Sequence, residues 1–216
     1  MWERRYEVPE ISIKLKNLFL KEIERREPSD RIWLTDTVYC GRKKLLQMKG
    51  FEPRYTEESI TRIWLGIVVG STLESMGIAR EVTVEYRGCR GRVDCVMDTG
   101  EPMEIKVTTS LYITASEYAE THVHQLSRYC LAMGKPTGIL FYYVPNVKLS
   151  SLPAYRYEFD LNKVRSVTDA RLDVLDKALR HGDPFMVPPT WHSPTMNNWE
   201  CRKCTYQAIC RNEGGL

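Results

Sequence analysis

The segment GRVDCVMDTGEPMEIKVTTS, residues 91–110, limits the fold more than any other stretch of the chain. Both halves alternate. Val93, Cys95 and Met97 share one parity, as do Met103, Ile105 and Val107, and the intervening DTGEP carries the glycine and proline of a reverse turn. The pattern predicts a β-hairpin whose apolar positions face a core. Asp94, Glu104 and Lys106 then share the opposite face. Either plausible register around Gly100 makes Asp94 and Glu104 direct or diagonal neighbours, roughly 5–8 Å apart. Two carboxylates at that range repel, and one of them is expected to keep a proton. A divalent cation removes the conflict, so the hairpin is a candidate metal-binding site.

The flanking sequence supplies the rest of a layered domain. Residues 11–27 predict an amphipathic helix closed by Pro28. A second helix runs from Thr35 or Asp36 to about Gly50 with Cys40 near its start, and a third spans roughly Glu57 to Met76 with IWLGIVVG (63–70) as its buried face. REVTVEYRG (80–88) alternates as a first strand, and residues 115–133 suit a helix. TGILFYYVP (137–145) reads as a central strand buried on both faces, AYRYEFDL (154–161) as a further strand, and residues 161–183 as a closing helix. This order predicts an α/β fold with a mixed β-sheet flanked by helices. Residues 1–79 form an N-terminal helical region, 80–183 the core, and 184–216 a proline- and cysteine-rich tail, all expected in one compact unit.

At 216 residues the chain can bury one good core, and its net charge of +3 is too small to argue for nucleic acid by itself. The clusters CGRKK (40–44), RGCRGR (87–92) and CRKC (201–204) offer local positive charge, or simply a solvated basic face. MWERRYEVPE is charged and lacks the apolar centre of a signal peptide, and the 63–70 run is too short to span a bilayer. The expectation is a soluble, cytoplasmic protein without a membrane partner, in which seven cysteines serve as metal ligands or buried thiols rather than disulfides. CRKCTYQAIC places Cys201, Cys204 and Cys210 in a C-x2-C-x5-C knot one thiolate short of a complete set, and Cys40 is the candidate fourth. A structural zinc site would accept four cysteines. The split of one distant cysteine against three favours an iron–sulphur cluster. Cys89, Cys95 and Cys130 fall on or beside core elements and read as buried apolar thiols.

Taken together, these motifs resemble a known family. Asp94 in GRVD followed by EIK looks like the GxxD…ExK form of the PD-(D/E)xK nuclease signature, and Gln125 and Tyr129 in QLSRY resemble the Q-x3-Y motif of RecB-type nucleases. With Cys40 and the cysteine tail added, the layout is similar to the CRISPR-associated RecB-like iron–sulphur nucleases, the fourth Cas protein family. That resemblance implies a restriction-endonuclease-like core and a DNA exonuclease dependent on Mn2+ or Mg2+, acting 5′-to-3′ on single strands or ends. It implies that Asp94, Glu104 and the Ile105 carbonyl hold the metal and that Lys106 orients the attacking hydroxide. Gln125 and Tyr129, on one helical face, would support Lys106 or the DNA. Cys40, Cys201, Cys204 and Cys210 would hold a 4Fe–4S cluster, although 2Fe–2S uses the same four thiolates. The family works in spacer acquisition beside the CRISPR integrase proteins. One position departs from the pattern: GSTLE puts Glu74 where a metal-binding histidine is usual, and His122, His124, His181 and His192 do not fill that slot. A carboxylate still suits a hard cation. The departure also motivates another reading, an impaired iron–sulphur DNA-binding subunit, and the superfamily allows a third, a RecB-type repair nuclease. Trp33, Tyr39, Trp64, Trp191 and Trp199, with the basic clusters, could make a stacking and phosphate-tracking path.

Overall fold

The computed structural model describes residues 9–26, 31–77, 80–108, 117–145, 147–148, 151–191 and 199–213. Helix α1 spans Pro9–Arg26 and α3 spans Glu57–Ser75. Thr56 caps α3, its hydroxyl accepting from the Ser59 N–H, with Glu57 and Glu58 in the positive first turn. The second expected helix is broken in two. A 3-10 turn covers Leu34–Thr37, and α2, Gly41–Met48, begins only after Cys40, which becomes its N-cap residue. The β-branched Thr37 and Val38 at the break are fully buried, so packing fixes the interruption.

The strands answer the opening expectation in a different way. A hairpin of β1 (Val82–Tyr86) and β2 (Cys89–Val93) forms a separate two-stranded sheet. Its two-residue turn, Arg87–Gly88, has positive φ at both positions, the geometry that follows the right-handed twist of paired strands. The chain then bends at Asp94 and starts a second sheet, with β3 (Cys95–Val96) antiparallel to β4 (Pro102–Val107). The single strand expected before the DTGEP turn is therefore two strands in two sheets, and Asp94 stands at the crossing.

Beyond β4 the chain forms α4 (Glu117–Met133), β5 (Thr137–Tyr143), β6 (Ala154–Glu158) and α5 (Leu161–His181). The larger sheet has the order β3-β4-β5-β6, with β4 and β5 parallel and the other pairs antiparallel, so it is mixed as expected. The crossover from β4 to β5 runs through α4, which packs Leu126 and Cys130 against Leu140, Tyr142 and Val144. Asp160 caps α5, and Gly182 closes it in the left-handed region at φ 63°. Two short tail helices follow, α6 (Trp199–Arg202) and α7 (Gln207–Glu213). Pro28 and His192 lie outside the described residues.

Two burial expectations are corrected. The apolar run of α3 is only half-covered: Ile60 is its one fully buried residue among those described, and Val68 is 41% exposed. Strand β5 alternates buried and half-buried positions, because α4 covers one face closely and the other face is packed more thinly. Among the described residues no helix is long and apolar enough to cross a membrane.

Candidate active site

The β3–β4 register pairs Cys95 with Met103 and Val96 with Pro102. Carried one residue back, it sets Asp94 opposite Glu104. Asp94 Oδ2 accepts the Ile105 N–H at 2.8 Å, which locks the bend to β4 and turns the carboxylate toward its neighbour. The acids meet, but on the covered face of the sheet. Glu104 is 2% exposed and pairs in register with Leu140, while Lys106 pairs with Tyr142, so both lie under α4. Met103, Ile105 and Val107, expected in the core, are only half-buried, and Met97 is exposed. Alternation was read correctly in period, and Val93 and Cys95 are buried as expected; on β4 its sense is inverted, because the polar face is the one a helix covers.

Burial sets the electrostatics. It raises Glu104 to about 8, an effect the Lys106 ammonium opposes and the Asp94 charge reinforces. Burial also raises Asp94, against the opposing pull of Lys106 and the Ile105 N–H. Burial alone would lower Lys106, yet the facing charges, Glu104 foremost, outweigh it and hold the ammonium protonated. Lys106 Nζ donates to Glu104 Oε1 at 2.5 Å and to Gln125 Oε1 at 2.8 Å. Gln125 Nε2 donates to the Tyr129 hydroxyl at 2.9 Å, as expected for positions i and i+4 of α4. Glu104 Oε2 is buried without a hydrogen-bond partner, and the adjacent Asp94 carboxylate can serve it only if one acid carries a proton. An orphaned acceptor beside a second carboxylate fits a hard divalent cation held by Asp94, Glu104 and the Ile105 carbonyl. Glu74 is exposed on α3 and lines a cavity of about 410 Å³ with Asp94, Ile105 and Lys106, so it faces the site from across a gap.

Gly91, the glycine of GRVD, has a packing reason. A Cβ there would stand 2.9 Å from Tyr129 Cε1 and 3.1 Å from Leu34 Cδ1, so only glycine lets the Tyr129 ring lie on β2. Sequence reasoning also passed over Glu81 and the hydrogen bond of Tyr39. Glu81 lines both this cavity and a neighbouring one of about 370 Å³ that holds Trp33, Tyr39, Lys43, Arg92, Asp94 and Gln125. Its signal was its place just before the strand paired with the GRVD segment, where the register carried one residue back sets it opposite Asp94, and it forms a 3.8 Å ion pair with Arg92. Tyr39 donates its hydroxyl to Gln125 Oε1 at 3.1 Å.

The proposed phosphate path divides. Trp33 and Arg92 stack at 5.1 Å on the cavity wall, and Lys43 joins them there. Arg42 is buried, donating to the Val187 carbonyl, and Arg87 is engaged by Asp169 and Asp173. Trp64 stacks on Phe19, and Trp191 donates to the Asp36 carbonyl, so both serve packing. Trp199, Arg202 and Lys203 line a separate cavity beside Cys40. Burial holds His122 neutral, lowered to about 3, with Nδ1 3.1 Å from the Tyr142 hydroxyl.

The four tail-site cysteines gather at the start of α2. Cys40, Cys201 and Cys210 are buried and Cys204 is half-buried. Burial raises the Cys40 and Cys201 thiols, Cys201 to about 11, and the neighbouring Cys204 and Cys210 raise both further. An apolar cluster of Leu46, Tyr206 and Cys210, flanked by Phe51 and Phe185, seats the tail on α2. The Cys40 N–H donates to the Glu200 carboxylate. Among the described residues no three His, Cys, Asp or Glu side chains are grouped as a metal ion requires. The four cysteines thus lie in one neighbourhood of the fold without the grouping of a ligand set. Cys95 and Cys130 are buried as expected, and Cys89 is half-buried.

No family model matches the sequence, and no curated protein matches it. The crystal structure of SSO0001 aligns with 96% of this chain and 98% of its own at 18% identity, with a TM-score of 0.53. An alkaline exonuclease from Laribacter hongkongensis, LHK-Exo, aligns with 68% of this chain and 87% of its own at 12% identity, with a TM-score of 0.49. The mixed sheet, the α4 crossover and the helices that flank them define the fold class as α/β, with the acid pair at the start of the larger sheet. The full-length likeness to SSO0001 is a likeness of fold.

Proposed function

We propose that the protein is a divalent-metal-dependent deoxyribonuclease that hydrolyses phosphodiester bonds, an exonuclease acting 5′-to-3′ on single-stranded DNA. The observation that carries this reading is the apposition of Asp94 and Glu104 across β3–β4, with Lys106 wired to Glu104 and Gln125. Mn2+ or Mg2+ at these oxygens would supply charge to a phosphoryl oxygen and lower the pKa of water. The chain's own groups do the rest. Lys106 Nζ, fixed by Gln125, aims a proton-bearing cation at the attacking oxygen and offsets charge developing on the phosphate. Arg92 and Lys43 hold flanking phosphates, and Trp33 offers a face to an unpaired base.

The same layout supports a finer reading, in which the enzyme trims DNA for CRISPR spacer acquisition, beside the integrase proteins, with an iron–sulphur cluster at Cys40, Cys201, Cys204 and Cys210. Its support is the order of motifs and cysteines along the chain. The exposed place of Glu74 supports the alternative of an impaired DNA-binding subunit. End-labelled single-stranded DNA incubated with Mn2+ or Mg2+ distinguishes the two. Cleavage by wild type and its loss in Asp94→Ala are expected, and equal cleavage by both proteins would mark the activity as a contaminant.

A further inference from the structure

Gln125 Oε1 can accept two hydrogen bonds, and it accepts one from Lys106 Nζ at 2.8 Å and one from the Tyr39 hydroxyl at 3.1 Å. Tyr39 thereby holds the amide with its oxygen toward Lys106 and its Nε2 toward Tyr129. Tyr39 itself lies at the buried break before α2. Its N–H donates to the Thr35 carbonyl at 2.9 Å, and its side chain lines the cavity of Asp94 and Gln125. It also lines the cavity that holds Cys40, Glu200 and Cys204. The next residue is Cys40, whose N–H is bound by Glu200 of the tail and whose thiol lies near enough to Cys204 and Cys210 to be raised by them. One peptide unit therefore joins the cysteine group to the hydrogen bonds that orient Lys106.

We propose that Tyr39 is a positioning residue for Lys106, acting through Gln125, and that the Tyr39–Cys40 peptide couples the geometry of the cysteine group to that of the acid site. The coupling is mechanical. Adjacent Cα atoms are fixed about 3.8 Å apart, so any shift of Cys40 against its Glu200 bond is passed to Tyr39. At 3.1 Å its hydrogen bond tolerates only a few tenths of an ångström before it weakens.

The kinetic arm of the test rests on the nuclease reading, and the spectroscopic arm does not. The side-chain amide resonance of Gln125 is followed in wild type, Tyr39→Phe and Cys204→Ser. It is expected to move in both variants and in the same sense. A resonance unmoved in Tyr39→Phe overturns the positioning role, and one unmoved in Cys204→Ser overturns the coupling. Should Cys204→Ser not fold, Glu200→Ala replaces it, cutting the Cys40 N–H bond while keeping all four thiols. In Mn2+-dependent cleavage each single variant should lose about ten-fold in kcat with KM for DNA unchanged, and the double variant should fall no further. Additive losses, about a hundred-fold, contradict the coupling. If wild type does not cleave, the nuclease reading fails and the amide resonance still decides this one.

Discussion

The acid site and the cysteine site are built in opposite ways. At the acid site, strand register sets the spacing, and a chain of bonds from Ile105 to Asp94 and from Lys106 through Gln125 to Tyr129 fixes each group. At the cysteine site the four thiols come from an N-cap, a four-residue helix, a turn and a seven-residue helix. Packing brings them near each other, and a small apolar cluster around Tyr206 does the holding. The first site is preformed and strained by charge, while the second is gathered and would be finished by what it binds. Chemistry that needs fixed geometry belongs on the sheet, and a structural clamp can be assembled from the ends of the chain.

The sharpest way to break this contrast is Asp94→Ala. It removes one acid and the acceptor of the Ile105 N–H while leaving the β3–β4 pairing, so cleavage should fall by about 10^3-fold or more at a stability cost of only about 1–2 kcal/mol. Loss of fold would show that Asp94 is a structural hinge between the sheets. Next is the cysteine site. Protein purified without oxygen should be brown and Cys204→Ser bleached, and limited proteolysis of Cys210→Ser should release the tail while the core resists. A colourless protein with stoichiometric zinc would replace the cluster by a zinc clamp.

The acid site also makes stability depend on pH. Glu104 is raised to about 8, and Asp94 is raised with it, so the native state binds more protons than the unfolded chain across the range from ordinary carboxylate values to about 8. The pair's contribution to the stability of the metal-free protein is thus full at low pH and is lost as pH rises through that window, most visibly above the ordinary histidine range, because His122, held neutral by burial, acts in the opposite sense below it. Thermal unfolding from pH 5 to 9 should show the decline, and Glu104→Gln should flatten it. The smallest effect is expected at Gly138, where a Cβ would lie 2.7 Å from Cys130 Sγ and 2.9 Å from Leu126 Cδ1. Gly138→Ala should lift α4 from β5 at a cost of about 1–3 kcal/mol. That corresponds to roughly 2–4 °C in Tm per kcal/mol for a chain of this length.

Much of this was legible in residues 91–110, because a period of two and a turn leave few ways to pair Asp94 with Glu104. What could not be read was which face would be covered. Glu104 and Lys106 look solvent-facing by polarity, and α4, a distant segment, decides otherwise. The switch of sheets at Asp94 was hidden for a similar reason. Arg87 adopts positive φ in the β1–β2 turn, a conformation its residue type does not advertise. The spacing of Gln125 and Tyr129 was clear from helical periodicity, whereas Tyr39 was read as a stacking residue. Its hydrogen bond to Gln125 spans 86 positions in sequence, and no local pattern encodes it.

The most direct test of the account is a calorimetric titration with Mn2+ alone, below pH 8. Wild type should bind the ion at one site, with affinity rising with pH and about one proton released from the Asp94–Glu104 pair. Asp94→Ala should bind far more weakly. Equal binding by both proteins, or binding without proton release, would contradict a centre in which a cation takes the place of a shared proton.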